Sequence, residues 1–372
     1  MSSNRVSPAS YSVYAPLRYE ATRPFSVRVG EQYVRYSKLG LHERNHHLIH
    51  DIAPAMRKAM KVAGKPLGEN AVLSEVNNML AFGEFLKGGR VIYDFHKKLT
   101  SALLSTDVEE MPVSSLPKPE ESLYIHFGSI ESNTGEYDNL EGAFVSWRNI
   151  PGENETINIA LVSKNQFAKS YYWLDESLEI CTGSMFDVSD KSCNIIDCLQ
   201  KSVDLVKRNH IEDNRELEAK YLAETGHKIS LSDDVDYPHL EEMKNGAKLV
   251  VKCLLFLSAV TDDIYEDWDD RAPKELVHQA KTAEKEGSRR TAERTLSNRD
   301  YLKVRFIGKK YALSVEQSSH HEQGKKKVTH MRRGHFRNQP YGPERCFRKV
   351  VFIPPMVINP DSGEELGRIY EA

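Results

Sequence analysis

The chain has 372 residues, of which 40% are hydrophobic and 28% charged, and a formal net charge of −3. That balance excludes a disordered or fibrous protein and leaves ample chain for a hydrophobic core, spread over about two to three domains by length. The five cysteines, Cys181, Cys193, Cys198, Cys253 and Cys346, form no CxxC pair. They exclude a disulfide-built fold and a zinc ribbon, and they fit a reducing, cytoplasmic setting.

Met1–Glu20 lacks the apolar core of a secretory signal. Phe25–Val29 alternates and predicts a short strand. Apolar spacing predicts helices over 46–62, 71–86 and 90–104, the last through Ile92, Phe95, Leu99 and Leu103. Pro112, Pro117 and Pro119 break the pattern, and 123–127, 143–147 and 157–162 read as strands. Helices follow at about 192–208, 212–224 and 238–260. The last holds Ala247–Val260, the longest apolar stretch. It is too short and carries too much lysine to span a membrane, so it reads as a core helix. Residues 273–295 read as a charged connector with little apolar face, interrupted at Gly287. Tyr301–Ile307, Tyr311–Val315 and Lys349–Ile353 read as strands. The expected fold class is α+β. Its parts are a mainly helical region over 1–110, a body with an antiparallel sheet over 111–270, a charged helical linker over 271–299, and a small, basic, mostly β C-terminal module over 300–372.

The near-neutral total hides an asymmetry. Residues 301–350 carry +10, residues 351–372 carry −3, and the remaining chain carries −10. A basic module on an acidic body is the footprint of a polyanion binder, or else of a basic face docked on the chain's own acids. The densest constellation is His330-Met-Arg-Arg-Gly-His-Phe-Arg337, followed by Tyr341-Gly342 in a turn sequence. If extended, this segment alternates His330, Arg332, Gly334 and Phe336 against Arg333, His335 and Arg337. Metal-free RNA cleavage needs a base, an acid and cations for the phosphate. His330, His335, Arg333, Arg337 and Tyr341 are the candidate catalytic residues for those roles. Lys325, Lys326, Lys327, Arg332, Phe336, Arg345 and Arg348 are the candidate nucleic-acid contacts, with the aromatic ring stacking on bases. No helix-turn-helix or basic zipper is legible, so RNA or a single strand fits better than a duplex.

No metal or cofactor is expected. His320, His321, His330 and His335 match no zinc-finger spacing and are crowded by cations. His42, His46, His47 and His50 fail the HExxH pattern, because His47 stands where the glutamate belongs. Asp233–Asp236 and Asp262–Asp270 read as solvated faces or as a shield for the basic module. No phosphate loop, dinucleotide fingerprint or nucleophile elbow is present.

The stretch His330–Arg337 with Tyr341-Gly342 and Phe352-Ile-Pro-Pro-Met-Val-Ile-Asn359 resembles the C-terminal signature of uncharacterised phage- and plasmid-borne bacterial proteins. Pro112–Gly128, with Leu116-Pro117 ahead of Ile125-His-Phe-Gly128, resembles the middle of the same proteins. The resemblance implies a mobile element or the host's response to one, and no catalytic role. The primary expectation is thus a nucleic-acid-binding protein of a mobile element, with metal-free endoribonuclease chemistry open to the His/Arg cluster. The alternative is a phage-encoded anti-defence or host-takeover protein that acts on a bacterial host or defence protein, away from any membrane.

Overall fold

A computed structural model describes residues 12–22, 69–128, 140–149, 154–163, 180–228, 238–318 and 330–358, with isolated positions between 46 and 58 and at 152 and 230. The expected strand at 25–29, His42, Asp233–Asp236, His320, His321 and Lys325–Lys327 lie outside the described residues, as does most of the expected helix over 46–62.

Seven strands build the main sheet: β1 (Ile92–Phe95), β3 (Ser122–His126), β4 (Leu140–Arg148), β5 (Thr156–Ser163), β6 (Ile180–Asp187), β7 (Ile264–Trp268) and β8 (Lys303–Ile307). Their order is β6-β5-β4-β3-β1-β8-β7. β1 runs parallel to both β3 and β8, and the other neighbours are antiparallel. The sheet draws strands from before residue 110, from 111–270 and from beyond 300.

Strand side chains alternate between faces, and here both faces are buried. One face sends Tyr93, Phe95, Leu123, Ile125, Val145 and Ile159 into a core with α4 (Ile195–Thr225) and α5 (Pro238–Ala259). From the other, Ile92, Tyr124, Phe144, Val162 and Val304 meet Tyr14 and Leu17, near and on α1 (Ala15–Thr22), and Phe82 and Phe85 of α2 (Glu69–Lys87). Leu249–Val251 and Cys253–Leu257 of α5 are buried, in keeping with its reading as a core helix. Among the described residues, no helix is long and apolar enough to cross a membrane.

The α+β class stands, with several local corrections. Residues 90–104 are not one helix but β1 followed by α3 (Lys97–Leu104). Gly89 (φ 88°) and Arg90 (φ 61°) turn the chain out of α2, and His96 Nδ1 caps α3 by accepting from Lys98 N at 3.2 Å. The two helices expected over 192–224 are the single α4, since no breaker lies between them. Tyr311–Val315 is not a strand but part of α8 (Lys309–Ser318). The Asp263 carboxylate, remote in sequence, accepts from Lys310 N (2.8 Å) and Tyr311 N (3.0 Å) at the start of that helix.

The expected connector is a helical hairpin, α6 (Lys274–Thr282) and α7 (Glu286–Asn298). Its small core joins Ala280, Ala292 and Leu296 to Trp268, Leu276 and Val277, and Gly287 lies inside α7. The acidic run before it is not a plain solvated face. Asp269 and Asp263 are buried, and Asp270 accepts from Ser12 Oγ and Val13 N at 2.7 Å.

The segment after 300 does not stand apart as a small β module, because β8 lies inside the main sheet and α8 follows it. The remaining strands form two small sheets. β10 (Gly334–Tyr341) pairs with β11 (Phe347–Ile353) and with β2 (Thr106–Asp107), while β9 (His330–Arg332) pairs with β12 (Met356–Ile358).

Candidate functional site

The β10–β11 ribbon carries most of the residues singled out from sequence. Its register places Phe336 opposite Phe352, Asn338 opposite Val350 and Pro340 opposite Arg348. The alternate pairs are His335 with Ile353, Arg337 with Val351, Gln339 with Lys349 and Tyr341 with Phe347. Period two sends these sets to opposite faces. The first set faces the body. Phe352 lies 5.2 Å from both Phe336 and Phe256 and 6.1 Å from Tyr311, ring centre to ring centre. Phe336 is 3% exposed and is therefore a core anchor rather than a base-stacking ring. Full burial of a phenylalanine such as Phe336 contributes about 1.5–3 kcal/mol, and with the half-buried Phe352 it holds the ribbon to α5 and α8.

The second set faces outward. Tyr341 is 46% and Phe347 53% exposed, with ring centres 5.6 Å apart, and Lys349 Nζ lies 5.8 Å from the Tyr341 ring centre. The turn between the strands is tight. Gly342 has φ 78°, and a Cβ there would stand 2.5 Å from the Phe347 ring. Glu344 (φ 50°) and Arg345 (φ 57°) are both left-handed, a strained tip of the kind kept where a side chain must be presented. Among the described residues, no carboxylate lies within ion-pairing distance of Arg332, Arg333, Arg337, Arg345 or Lys349. Arg348 instead donates to the Arg345 carbonyl at 2.9 Å. Other cations of the basic stretch are neutralised by the body. Arg305 Nη1 meets Glu120 and the Tyr93 hydroxyl at 2.6 Å each, and Lys310 meets Asp262 at 2.9 Å.

The candidate catalytic residues do not converge. His335 and Tyr341 sit six residues apart on one strand, about 20 Å at the strand rise. Arg333 lies in the break between β9 and β10, and His330 enters a different sheet through its pairing with Ile358. Gly334 does permit a close approach, but by the protein itself. A Cβ there would meet Thr106 Oγ1 at 2.7 Å and Pro355 at 2.8 Å. The His46 and His50 rings lie 4.4 Å apart, and His47 Nδ1 is 2.6 Å from Asp51. Among the described residues, no three His, Cys, Asp or Glu side chains gather to hold a metal.

Two features escaped the sequence reading. One is the apolar outward pair Tyr341–Phe347, which only the register reveals. The other is a cleft of about 910 Å³ between the β5–β6 end of the main sheet and α4, bordered by Cys193, Cys198 and Lys201.

Residues 93–360 match the AcrVA2-like family, described as the anti-CRISPR type V subtype A2 family. A crystal structure of AcrVA2 aligns over 92% of this chain and 98% of its own, at 14% identity and a TM-score of 0.42. No curated protein sequence matches the chain significantly. The family match corrects the resemblance drawn from the C-terminal signature, since that signature falls in a family with a described anti-CRISPR role.

Proposed function

The chain belongs to the AcrVA2-like family of anti-CRISPR proteins, and on that premise we propose that it counters a type V CRISPR system by binding one of that system's protein components. Membership overturns the primary expectation of an RNA or single-strand binder with ribonuclease chemistry. It favours the alternative set beside it, anti-defence action through protein–protein contact. The carrying observation is the extent of the match, from β1 through β12, which includes the whole β10–β11 ribbon.

We assign the contact to the outward face of that ribbon, the working part of the basic C-terminal region. Arg337 and Lys349 share a face with the exposed Tyr341 and Phe347, and Arg345 stands at the tip beside them in sequence. Aromatic and arginine side chains in an uncompensated basic setting suit an acidic protein surface. The contact takes place in the cytoplasm, where such defence proteins work.

The test is a plasmid-challenge assay in bacteria carrying an active type V system, with tagged wild type and a Tyr341→Ala/Phe347→Ala/Arg337→Glu variant. Wild type restores plasmid uptake and co-purifies a CRISPR protein through nuclease treatment, and the variant does neither. Capture abolished by nuclease, or full protection by the variant, overturns the proposal.

A further inference from the structure

The cleft beside α4 places two thiols and an ammonium together. Asn194 caps α4, its Oδ1 accepting from Ile196 N at 2.7 Å, so Cys193 immediately precedes the cap and Cys198 lies one turn in. The Cys193 backbone is held on both sides. Its carbonyl accepts from Val113 N at 2.9 Å, and its N–H donates to the Asp190 carbonyl at 3.2 Å. Its half-buried side chain borders the cleft, and Lys201 Nζ lies 3.6 Å from its sulfur. The Cys198 thiol, 8% exposed, lines the same cleft, and burial, followed by the neighbouring Cys193, pushes it up.

Packing alone accounts for part of this arrangement. Apolar residues just before a cap and one turn inside it commonly touch. Packing does not account for an ammonium aimed at one of the two sulfurs. Lys201 makes no ion pair with Asp187 or Asp190, the acids that share the cleft, so the sulfur is its close partner among the described residues. The ammonium and the start of a 31-residue helix both stabilise negative charge at that sulfur. Of the cleft's other charges, Arg148 and Arg208 add the same sign, while Asp187 and Asp190 oppose it.

We propose that Cys193 is an activated nucleophilic thiol, the site at which soft electrophiles and peroxides modify this protein, with Cys198 as its resolving partner. With hydrogen peroxide, the Cys193 thiolate attacks one oxygen and the O–O bond breaks. Hydroxide leaves and takes up a proton as water, and Cys193 sulfenic acid remains. The Cys198 sulfur then attacks the Cys193 sulfur and the S–O bond breaks. The departing hydroxide takes the Cys198 proton, giving a second water. Two thiols lose two electrons in all, and the peroxide gains them. The inference is independent of the counter-defence reading.

The test uses the full chain, with the exposed Cys346 as internal reference. Iodoacetamide labelling at pH 7, followed peptide by peptide by mass spectrometry, should modify Cys193 about tenfold faster than Cys346. Lys201→Met should remove most of that advantage and Lys201→Arg should restore it. Lys201 is exposed, so neither change threatens the fold. Peroxide should give a Cys193–Cys198 bridge in wild type, and in Cys198→Ser a sulfenic acid trapped by dimedone. Labelling of Cys193 no faster than Cys346, a Lys201→Met rate equal to wild type, or peroxide leaving both thiols free would overturn it.

Discussion

Replacing Asp269 by alanine should open the base of the α6–α7 hairpin. This carboxylate lies where the chain leaves β7, and its side chain is fully buried. Oδ1 accepts from Arg271 N at 3.0 Å and Arg271 Nε at 2.8 Å, while Oδ2 accepts from Arg271 Nη2 at 2.9 Å and Leu302 N at 2.5 Å. One side chain thus ties the exit from β7 to the entry of β8, beside the backbone bond from Asp269 N to the Leu302 carbonyl. Each charge-assisted bond is worth about 1.5–3 kcal/mol, but the four share one carboxylate and do not add. Breaking a buried pair from one side costs about 3–5 kcal/mol, because Arg271, 11% exposed at its side chain, keeps its bond to the Asp300 carbonyl but loses the carboxylate that neutralises it. Urea denaturation should show a loss in that range for Asp269→Ala, with an unchanged denaturant slope. The double change Asp269→Leu/Arg271→Met should cost less than the single one, since it leaves no stranded charge. A single-variant loss below about 1 kcal/mol would refute the clasp, as would a double variant worse than the single.

Burial, opposed by the Tyr14 hydrogen bond at 2.8 Å and reinforced by Asp270, pushes the Asp94 carboxyl up to about 6. A raised folded value means that its contribution to stability is full below about pH 4 and is lost as pH rises through 6. Asp94→Asn should therefore stabilise the fold by about 1–3 kcal/mol at pH 8 and much less at pH 4, measured as midpoint shifts in denaturant. Burial and then Lys248 bring the Lys252 amine down to about 8, so the wild type should gain stability as pH rises from 8 towards 10. Lys252→Met should be stabilising by about 1–2 kcal/mol at pH 7, with the gain shrinking as pH rises from 8 towards 10, even though it loses the 3.0 Å bond to the Leu104 carbonyl. Gly142→Ala should cost more than about 2 kcal/mol by thermal denaturation. Its Cβ would stand 2.4 Å from the Ile125 carbonyl, backbone that has no room to move, and 2.3 Å from the Tyr124 hydroxyl.

Elements with one long, unbroken period were legible. The core helix at 238–259 and the strands at 122–126, 140–148 and 156–163 follow from apolar spacing alone. The misreadings arise where distant chain decides. Ile92, Phe95, Leu99 and Leu103 keep a helical spacing across a strand, a cap and a helix, although Ile92 enters one core and Phe95, Leu99 and Leu103 the other. Tyr311–Val315 has strand-like alternation, yet the Asp263 carboxylate supplies the missing acceptors for a helix start. At the candidate site, alternation along 334–337 separated the two faces correctly but could not say which one the body covers, and the strand runs on through Pro340 and Tyr341, which read as a turn. Phe336 and Phe352 settle that through Phe256 of α5, a partner far away in sequence. The count of basic residues also overstated the open charge, since Arg305 and Lys310 are matched by acids of the body.

The placement of β8 between β1 and β7 has a consequence for how the chain is made. Ile92 pairs with Val304, so the side of β1 away from β3 waits for the last third of the protein. At about 5–20 residues per second, a ribosome takes roughly 10–40 s to supply that strand after β1 has emerged. Throughout that interval one edge of β1 is an open template for any extended segment nearby. A chain stopped before residue 303 would keep that edge for good, so nonsense fragments of this protein should aggregate even where α1 through α5 are complete.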